Sequence, residues 1–150
     1  SGGHWRAYMT PLEATRAWLR TCPHIDKNDK LNLNHLGAAP TGYSLTLTGH
    51  TRKEDVCGSV TSVYHFALFA RMPWGPELAM NIAASEFFAG LDEWIWAQER
   101  AHAYPAIDGE TPVRVEAKNA GLIVAANAQA AQYQIQIELT TEEVSPYGES

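Results

Sequence analysis

The chain has 150 residues, of which 45% are hydrophobic and 19% are charged. This length and composition fit one compact domain with a sizeable core, and they exclude collagen, a coiled coil and a disordered chain. Seventeen acidic residues against eleven basic ones give a formal net charge of −6, which argues against a protein that wraps nucleic acid by electrostatic attraction.

The N-terminal part contains one short helix and one short extended segment. Residues 1–3, Ser-Gly-Gly, have neither a methionine nor a leader pattern and are interpreted as a cloning scar. Thr10 as N-cap and Pro11 at the first helical position predict a helix from Pro11 to Arg20, which Pro23 ends. Partial alternation of leucines from Leu31 to Leu36 predicts a short strand.

Two strands are predicted next. Apolar and polar side chains alternate from Tyr43 to Thr48, which predicts a half-buried strand. A polar stretch from His50 to Asp55 leads into a second run, from Tyr64 to Ala70, in which both faces are largely apolar. This second run is therefore predicted to be a central strand of the sheet.

The longest predicted helix follows the strand breaker Pro73-Trp74-Gly75-Pro76 and runs to about Arg100. Its apolar residues recur at helical spacing. They predict a buried stripe of Met80, Ala84, Phe87, Leu91 and Trp94, with Phe88 and Ile95 at its edges. Trp96 lies about 200° around the helix axis from Trp94, so the same stripe cannot bury both indoles. One of the two must face something else.

The C-terminal part is rich in strands. Alternation predicts a strand from Val113 to Ala117, another from Leu122 to Ala126, and the clearest one from Gln132 to Thr140, with a hairpin turn of small residues before it. The predicted fold class is α+β, with a mostly antiparallel or mixed β-sheet packed against a long helix and a short N-terminal helix. We expect a single domain over residues 4–144 and a flexible tail at residues 145–150.

No motif in the sequence indicates catalysis. The chain has no phosphate-binding glycine loop, no nucleophile elbow and no zinc-binding helix motif. His65, on the predicted central strand, has no serine, cysteine or carboxylate at a spacing that implies a partner. The acidic residues Asp92, Glu93 and Glu99 fit the exposed face of the long helix. We therefore predict no catalytic, cofactor-binding or metal-binding residue, no cofactor and no enzymatic activity.

The cysteines and the hydropathy of the chain bear on its environment. Cys22 and Cys57 are too few for a disulfide framework and are predicted to be reduced thiols, although a single bond between them stays open. No stretch reaches the roughly 20 apolar residues of a membrane span, so no membrane partner is expected.

Tryptophan is the stronger functional signal in this sequence. The chain has five tryptophans and few charges, and tryptophan is favoured both in cores and at the centres of protein interfaces. Either all five serve one core, or Trp74 or Trp96 is buried only by a neighbouring subunit. Arg52 and Lys53 fit a solvated loop better than a phosphate site, and a charged loop is also a general feature of protein interfaces. The predicted interface residues are therefore Arg52, Lys53, Trp74 and Trp96.

Several collinear segments between about Leu19 and Thr141 carry a family resemblance. They are Leu19–Pro23, Asn34–Gly37, Gly42–Leu45, Phe66–Arg71, Asn81–Phe88, Leu91–Ile95, Gln98–Arg100 and Tyr133–Ile137. In order and spacing they resemble the bacteriophage minor capsid proteins encoded in many Gram-positive prophages. The specificity of this resemblance rests on the collinear order, because no single segment is a chemical signature.

The resemblance implies a structural role without catalysis. Such proteins are similar to the tail terminators of long-tailed phages, which stack as a ring on the tail tube and present the surface that joins the head. The implied partners are further copies of the chain in a ring, expected to be a hexamer, the major tail tube protein and a head-completion or connector protein. DNA would pass through the ring without specific binding. The implied location is the virion tail, and the host cytoplasm during assembly.

The resemblance also implies a role for residues 50–62, as a projecting loop or hairpin arm that contacts a neighbour or lines the tube. Two alternatives stay open. One is a small α+β ligand-binding or enzymatic domain with a pocket between the long helix and the sheet, and with His65 or Tyr64 at its mouth. The other is a head-completion protein, because head and tail completion proteins are both small, non-catalytic and built around interfaces.

Overall fold

The computed structural model describes residues 9–34, 42–73, 78–126 and 130–143. Two helices and five strands occupy these ranges: α1 Pro11–Leu19, β1 Leu31–Leu33, β2 Gly42–Glu54, β3 Val60–Pro73, α2 Leu78–Ala101, β4 Thr111–Ala126 and β5 Ala130–Glu143. The predicted scar at residues 1–3, the predicted tail at residues 145–150 and the interface candidate Trp74 lie outside the described residues.

Helix α1 begins with a capping box. The Thr10 hydroxyl accepts a hydrogen bond from the Glu13 backbone N–H at 3.2 Å, and the Glu13 carboxylate accepts one from the Thr10 backbone N–H at 3.0 Å. These N–H groups lie at a helix start, where the backbone itself offers no acceptor. Pro11 loses no hydrogen bond at the first helical position for the same reason. The predicted N-cap and helix start are confirmed.

The five strands form one mixed sheet in the order β1-β2-β3-β5-β4. β1 runs parallel to β2, and the other neighbouring strands are antiparallel. β3 pairs with β2 on one side and with β5 on the other, which confirms the central strand predicted from its two apolar faces. The α+β class and a mixed sheet with two helices are also confirmed.

The core lies between the two helices and one face of the sheet. Leu45, Leu68 and Ile135 are register partners on three adjacent strands, and all three are fully buried. On the opposite face, the register partners His65 and Glu138 are half-buried. Buried and half-buried residues alternate along β5 as far as Thr141, as its sequence predicts. Apolar side chains on one face and polar ones on the other thus set which face the helices cover.

The buried stripe of α2 is centred differently from the prediction. The buried residues of its described part are Ala84, Phe88, Leu91 and Ile95. Phe87 and Trp94, which the sequence places at the centre, are half-buried. Ala84 and Leu91 of the predicted stripe are buried, and Phe87 and Trp94 pack against the core. The prediction is therefore correct in part, and the buried stripe is shifted toward Phe88 and Ile95, because apolar residues occupy two adjacent helix faces and helical spacing alone fits either face. Trp94 contacts Trp18 of α1, with ring centroids 4.8 Å apart.

Two segments form more strand than the sequence predicts. The polar stretch from His50 continues β2 as far as Glu54, because backbone pairing with β3 does not require apolar side chains. The two strands predicted after Val113 are one strand, β4, with register irregularities at three places. Pairing of β4 with β5 extends to Ala126 and Ala131, which confirms the hairpin, although residues 127–129 lie outside the described ranges.

Candidate functional site

Trp96 exposes 65% of its surface on α2. Trp94 faces the other way and packs against Trp18, whose indole N–H donates a hydrogen bond to the Ala103 carbonyl oxygen at 2.9 Å. One indole is therefore covered by α1 while the other lies in solvent, as the separation of about 200° requires. The interpretation in which all five tryptophans serve one core is wrong for Trp96.

A groove runs beside Trp96 along the seam between α2 and β4. We define this α2–β4 groove by two hollows, of about 520 and 390 Å³, that share Asp92 as a lining residue. The larger hollow is lined by residues that include Trp96, Glu99, Arg100, His102, Arg114 and Val115. The smaller one is lined by residues that include Ala84, Phe88, Ala89, Gly121, Ile123 and Tyr133. The smaller hollow is therefore mainly apolar, with Ser85 as a polar residue and Asp92 as the charged residue of its lining.

Side chains close the edge of β4 where it borders the larger hollow. The Glu99 carboxylate accepts a hydrogen bond from the Val115 backbone N–H at 2.8 Å. The Tyr104 hydroxyl lies 3.1 Å from a Glu99 carboxylate oxygen and 3.1 Å from the Val113 carbonyl oxygen. Burial and the hydrogen bond to Glu99 raise the pKa of Tyr104. Backbone groups that are already bonded in this way cannot pair with a strand of another chain.

The remaining part of β4 is irregular. Asn119 and Gly121, within the longest interruption of the pairing with β5, have φ angles of 55° and 84°. A Cβ atom at Gly121 would lie 3.6 Å from Phe88 side-chain atoms, so β4 approaches α2 closely here. Bulges and bends of this kind stop an edge strand from acting as a template for another strand. The edge of β4 along the α2–β4 groove therefore does not offer a regular template on which another strand could extend the sheet.

Arg52 and Lys53 lie on the hairpin arm, which we define as residues 50–62. Both side chains are exposed, and as successive residues of β2 they point to opposite faces of the sheet. Two strands, β3 and β5, separate β2 from β4, a distance of about 14 Å across three strand spacings. The structure therefore places these basic residues and Trp96 at different edges of the molecule.

The turn of the hairpin arm is held by backbone hydrogen bonds between Asp55 and Ser59 and between Gly58 and Asp55, and by the Asp55 carboxylate. Asp55 accepts hydrogen bonds from the backbone N–H groups of Cys57 and Ser59, at 2.8 and 3.0 Å. Gly58 adopts a φ of 86°, which favours glycine. Val56, at the tip, is fully exposed. The turn therefore presents an apolar side chain to solvent in a fixed geometry.

Tyr64 and His65 do not line the α2–β4 groove. Tyr64 is buried on the core face, and its hydroxyl lies 2.9 Å from both carboxylate oxygens of Glu110, which also accepts a hydrogen bond from the Thr141 hydroxyl at 2.5 Å. His65 lies on the opposite face of the sheet, with its Nδ1 atom 3.7 Å from a Glu138 carboxylate oxygen. The α2–β4 groove is thus lined by other residues than the pocket that the sequence predicts between the long helix and the sheet, with His65 or Tyr64 at its mouth.

Sequence reasoning missed two carboxylates with defined bonding. It placed Glu99 with the exposed residues of α2, yet Glu99 is half-buried and bonded to β4. It gave Glu110 no role, although this residue joins two strands through the hydroxyls of Tyr64 and Thr141. The strand residues that bond to them, Val115 for Glu99 and Tyr64 and Thr141 for Glu110, lie 16 to 46 residues away along the chain, so no local spacing signals these bonds.

Within the described ranges, no three histidine, cysteine, aspartate or glutamate side chains are grouped so as to hold a metal ion. Neither described helix combines the length and the hydropathy that crossing a membrane requires. No protein-family model matches the chain, and no curated protein matches it. The candidate functional surfaces of the described residues are the α2–β4 groove, which borders the exposed Trp96, and the hairpin arm, which carries the exposed Val56.

Proposed function

We propose that the protein is a structural component of a long-tailed phage virion, a tail terminator that forms a ring, caps the tail tube and joins it to the head. The observation that carries this proposal is the exposed Trp96 beside the α2–β4 groove. Tryptophan is enriched among the residues that contribute most to protein association. The resemblance of the sequence to phage minor capsid proteins supplies the kind of assembly.

The exposed area of Trp96 is large enough to matter energetically. A tryptophan with 65% of its surface in water leaves about 150 Å² available for burial. At about 25 cal/mol per Å², covering this surface contributes up to about 4 kcal/mol to association. Part of that is offset by the loss of translational and rotational freedom. One such residue on each copy therefore supports a weak contact alone and a stable one when repeated around a ring.

Two distinct surfaces on one chain support a ring rather than a two-fold dimer. Rotational symmetry of higher order needs a different patch for each neighbour. The hairpin arm, with Arg52 and Lys53, belongs to β2 and β3, whereas the groove with Trp96 belongs to α2 and β4. In an open head-to-tail row of copies, the first copy has one of these surfaces unoccupied and the last copy has the other. The two unoccupied surfaces bind each other when the ring closes.

The proposed ring has three further partners. The major tail tube protein would contact one face, and a head-completion or connector protein would contact the other. DNA would pass through the centre without specific binding, which the net charge of −6 favours because like charges repel phosphate. The protein would be in the host cytoplasm during assembly and in the tail of the virion afterwards.

Sedimentation of wild-type protein and a Trp96→Ala variant tests the self-association. We expect the wild-type chain to form a concentration-dependent oligomer and the variant to raise the dissociation constant at least about 30-fold, the effect of losing about 2 kcal/mol. The control is Glu86→Ala, which truncates another exposed side chain of α2. A dissociation constant unchanged by Trp96→Ala would refute the role of this surface.

Electron microscopy tests the tail-specific part of the proposal. Purified protein mixed with assembled tail tubes of the cognate phage should appear as a ring at one end of each tube. Trp96→Ala should lower the fraction of capped tubes, while Glu86→Ala should not. Tubes left uncapped by the wild-type protein would contradict a tail terminator, and rings found on capsid portals instead would favour head completion.

A ligand-binding domain is the second candidate function. The observation that favours it is the larger hollow of about 520 Å³, which falls in the size range of small-molecule sites and brings together Glu99, Arg100 and Arg114. A protein that stays monomeric at all concentrations, and whose melting temperature rises saturably with a small charged ligand, would favour this function over assembly.

A further inference from the structure

We infer that the tip of the hairpin arm of one copy docks into the smaller hollow of the α2–β4 groove of the next copy, with Val56 in the hollow and Lys53 against Asp92. This inference rests on the proposed ring assembly and names the part of its contact that lies next to Trp96, because Asp92 lines both the smaller hollow and the larger hollow that contains Trp96. The occupant of the groove is a second copy of this chain.

The two surfaces match in hydropathy. Val56 is fully exposed at the arm tip, although water contact is unfavourable for its apolar side chain. The smaller hollow, of about 390 Å³, is lined mainly by apolar side chains such as Phe88 and Ile123, and Ile123 exposes 48% of its surface. Insertion of Val56 would remove apolar surface of both copies from water.

The two surfaces also match in charge. From Leu78 to Glu99, α2 contains four acidic residues and no basic one, and Asp92 is the charged residue in the lining of the smaller hollow. Lys53 precedes Val56 by three residues, which span no more than about 10 Å because the chain turns after Glu54. Glu54, the next residue of β2, points to the opposite face of the strand from Lys53. The long Lys53 side chain can therefore approach Asp92 when Val56 occupies the hollow. Opposite charges at such a rim set the register of a contact and exclude wrong partners.

The arm tip is preorganised for this contact. The Asp55 carboxylate is turned toward its own backbone, where it accepts hydrogen bonds from Cys57 and Ser59. Its negative charge is therefore partly neutralised by those N–H groups and weakens the attraction between Lys53 and Asp92 less than a free carboxylate would. Little backbone freedom of the turn therefore remains to be lost on binding, which favours affinity.

A copy cannot insert its arm into its own groove. Tyr133 lines the smaller hollow, whereas Glu143, ten residues further along β5, pairs with Val60 at the base of the arm turn. That separation is about 33 Å along the strand. A disulfide needs Cα atoms within about 7 Å of each other. A bond between Cys57 and a cysteine in the hollow therefore reports a contact between copies.

Disulfide trapping of an Ala89→Cys variant tests the contact. Ala89 lines the smaller hollow and is exposed, and Cys57 is an exposed thiol next to Val56. Under mild oxidation we expect a ladder of dimers, trimers and larger species on a non-reducing gel, because each copy carries both thiols. The matched control is Ala17→Cys, an exposed alanine on the other helix. Adding Cys57→Ser should abolish the ladder.

A charge exchange provides the second test. Lys53→Glu should raise the dissociation constant about fivefold, and Asp92→Lys should do the same. The double variant, which exchanges the two charges, should recover most of the wild-type affinity. Independent, additive losses in the double variant would overturn the pairing of these two residues.

The outcomes separate this inference from the proposed function. A ladder confined to Ala89→Cys, with recovery in the charge exchange, supports the contact. Equal ladders from Ala89→Cys and Ala17→Cys, or no ladder although wild-type protein sediments as an oligomer, would overturn the contact and leave ring assembly intact. Absence of both ladder and oligomer would overturn the contact and self-association together, whereas tube capping by a monomer would still support the terminator.

Discussion

Substitution of Glu99 by alanine probes the closed edge of β4. The variant removes the acceptor for the Val115 N–H at 2.8 Å and for the Tyr104 hydroxyl at 3.1 Å. Hydrogen bonds to a charged group contribute about 1.5–3 kcal/mol each when buried. Glu99 is half-buried, so water replaces part of the loss, and we expect the free energy of unfolding to fall by about 2 kcal/mol.

Urea denaturation followed by tryptophan fluorescence measures this change. Trp18 and Trp94 pack between the two helices, so their emission reports the loss of the core. A loss of about 2 kcal/mol should also lower the melting temperature by roughly 4–8 °C in a domain of this size. The matched control is Glu93→Ala, an exposed carboxylate on the same helix, which should change stability by less than about 0.5 kcal/mol.

A Glu99→Ala variant as stable as the Glu93→Ala control would refute the reasoning. The β4 edge would then not depend on Glu99 for its closure. The Val115 backbone N–H would then be open to pairing with a strand of another copy.

Three further predictions test other parts of the structure. Burial and nearby carboxylates raise the pKa of Tyr43 to about 12, above the unfolded value of about 10. The contribution of the neutral phenol to the stability of the folded state is therefore complete below about pH 10 and is lost as the pH rises toward 12. Urea titrations across that window should show a smaller loss of stability for Tyr43→Phe than for wild type, and equal slopes would contradict the shift. Because Cys22 is buried and Cys57 is exposed, a thiol reagent should modify one cysteine per native chain and two per unfolded chain. Rapid modification of both cysteines in the native protein would contradict the burial of Cys22. A Cβ atom at Gly90 would lie 2.8–3.0 Å from the His24 imidazole. Gly90→Ala should therefore increase the free energy of unfolding by about 1 kcal/mol in a His24→Ala background and by less in the wild-type protein. Equal increases in the two backgrounds would show that the His24 side chain moves away without an energetic cost.

Local signals predict those parts of the fold whose cause is local. Thr10 and Pro11 predict the start of α1, because a capping box is complete within four residues. Alternation from Gln132 to Thr140 predicts both the strand β5 and its buried face, since a period of two admits one assignment of faces. Helical geometry alone also predicts that Trp94 and Trp96 cannot share a surface.

The candidate site is predicted only in fragments. Residue type alone leads to the proposal of Trp96, Arg52 and Lys53 as contact residues. The sequence does not indicate that Trp96 borders a groove, or that Arg52 and Lys53 lie at a different edge of the molecule. Glu99 and Glu110 escape prediction because the strand residues to which they bond, Val115 for Glu99 and Tyr64 for Glu110, are distant in the chain. Such contacts depend on which strands become neighbours, and pairing order is not encoded in local periodicity.

The sequence by itself determined the two helices, the central strand and the last strand, and the α+β class. It also determined that one face of α2 cannot bury both Trp94 and Trp96, because propensity, capping and periodicity act within a few residues. Tertiary structure decided the order β1-β2-β3-β5-β4, which helix face is buried, and how the β4 edge is closed. It therefore decided where the α2–β4 groove and the hairpin arm lie. The reason is physical: the phase of an apolar stripe and the bonding of an edge strand are fixed only when a second element packs against them.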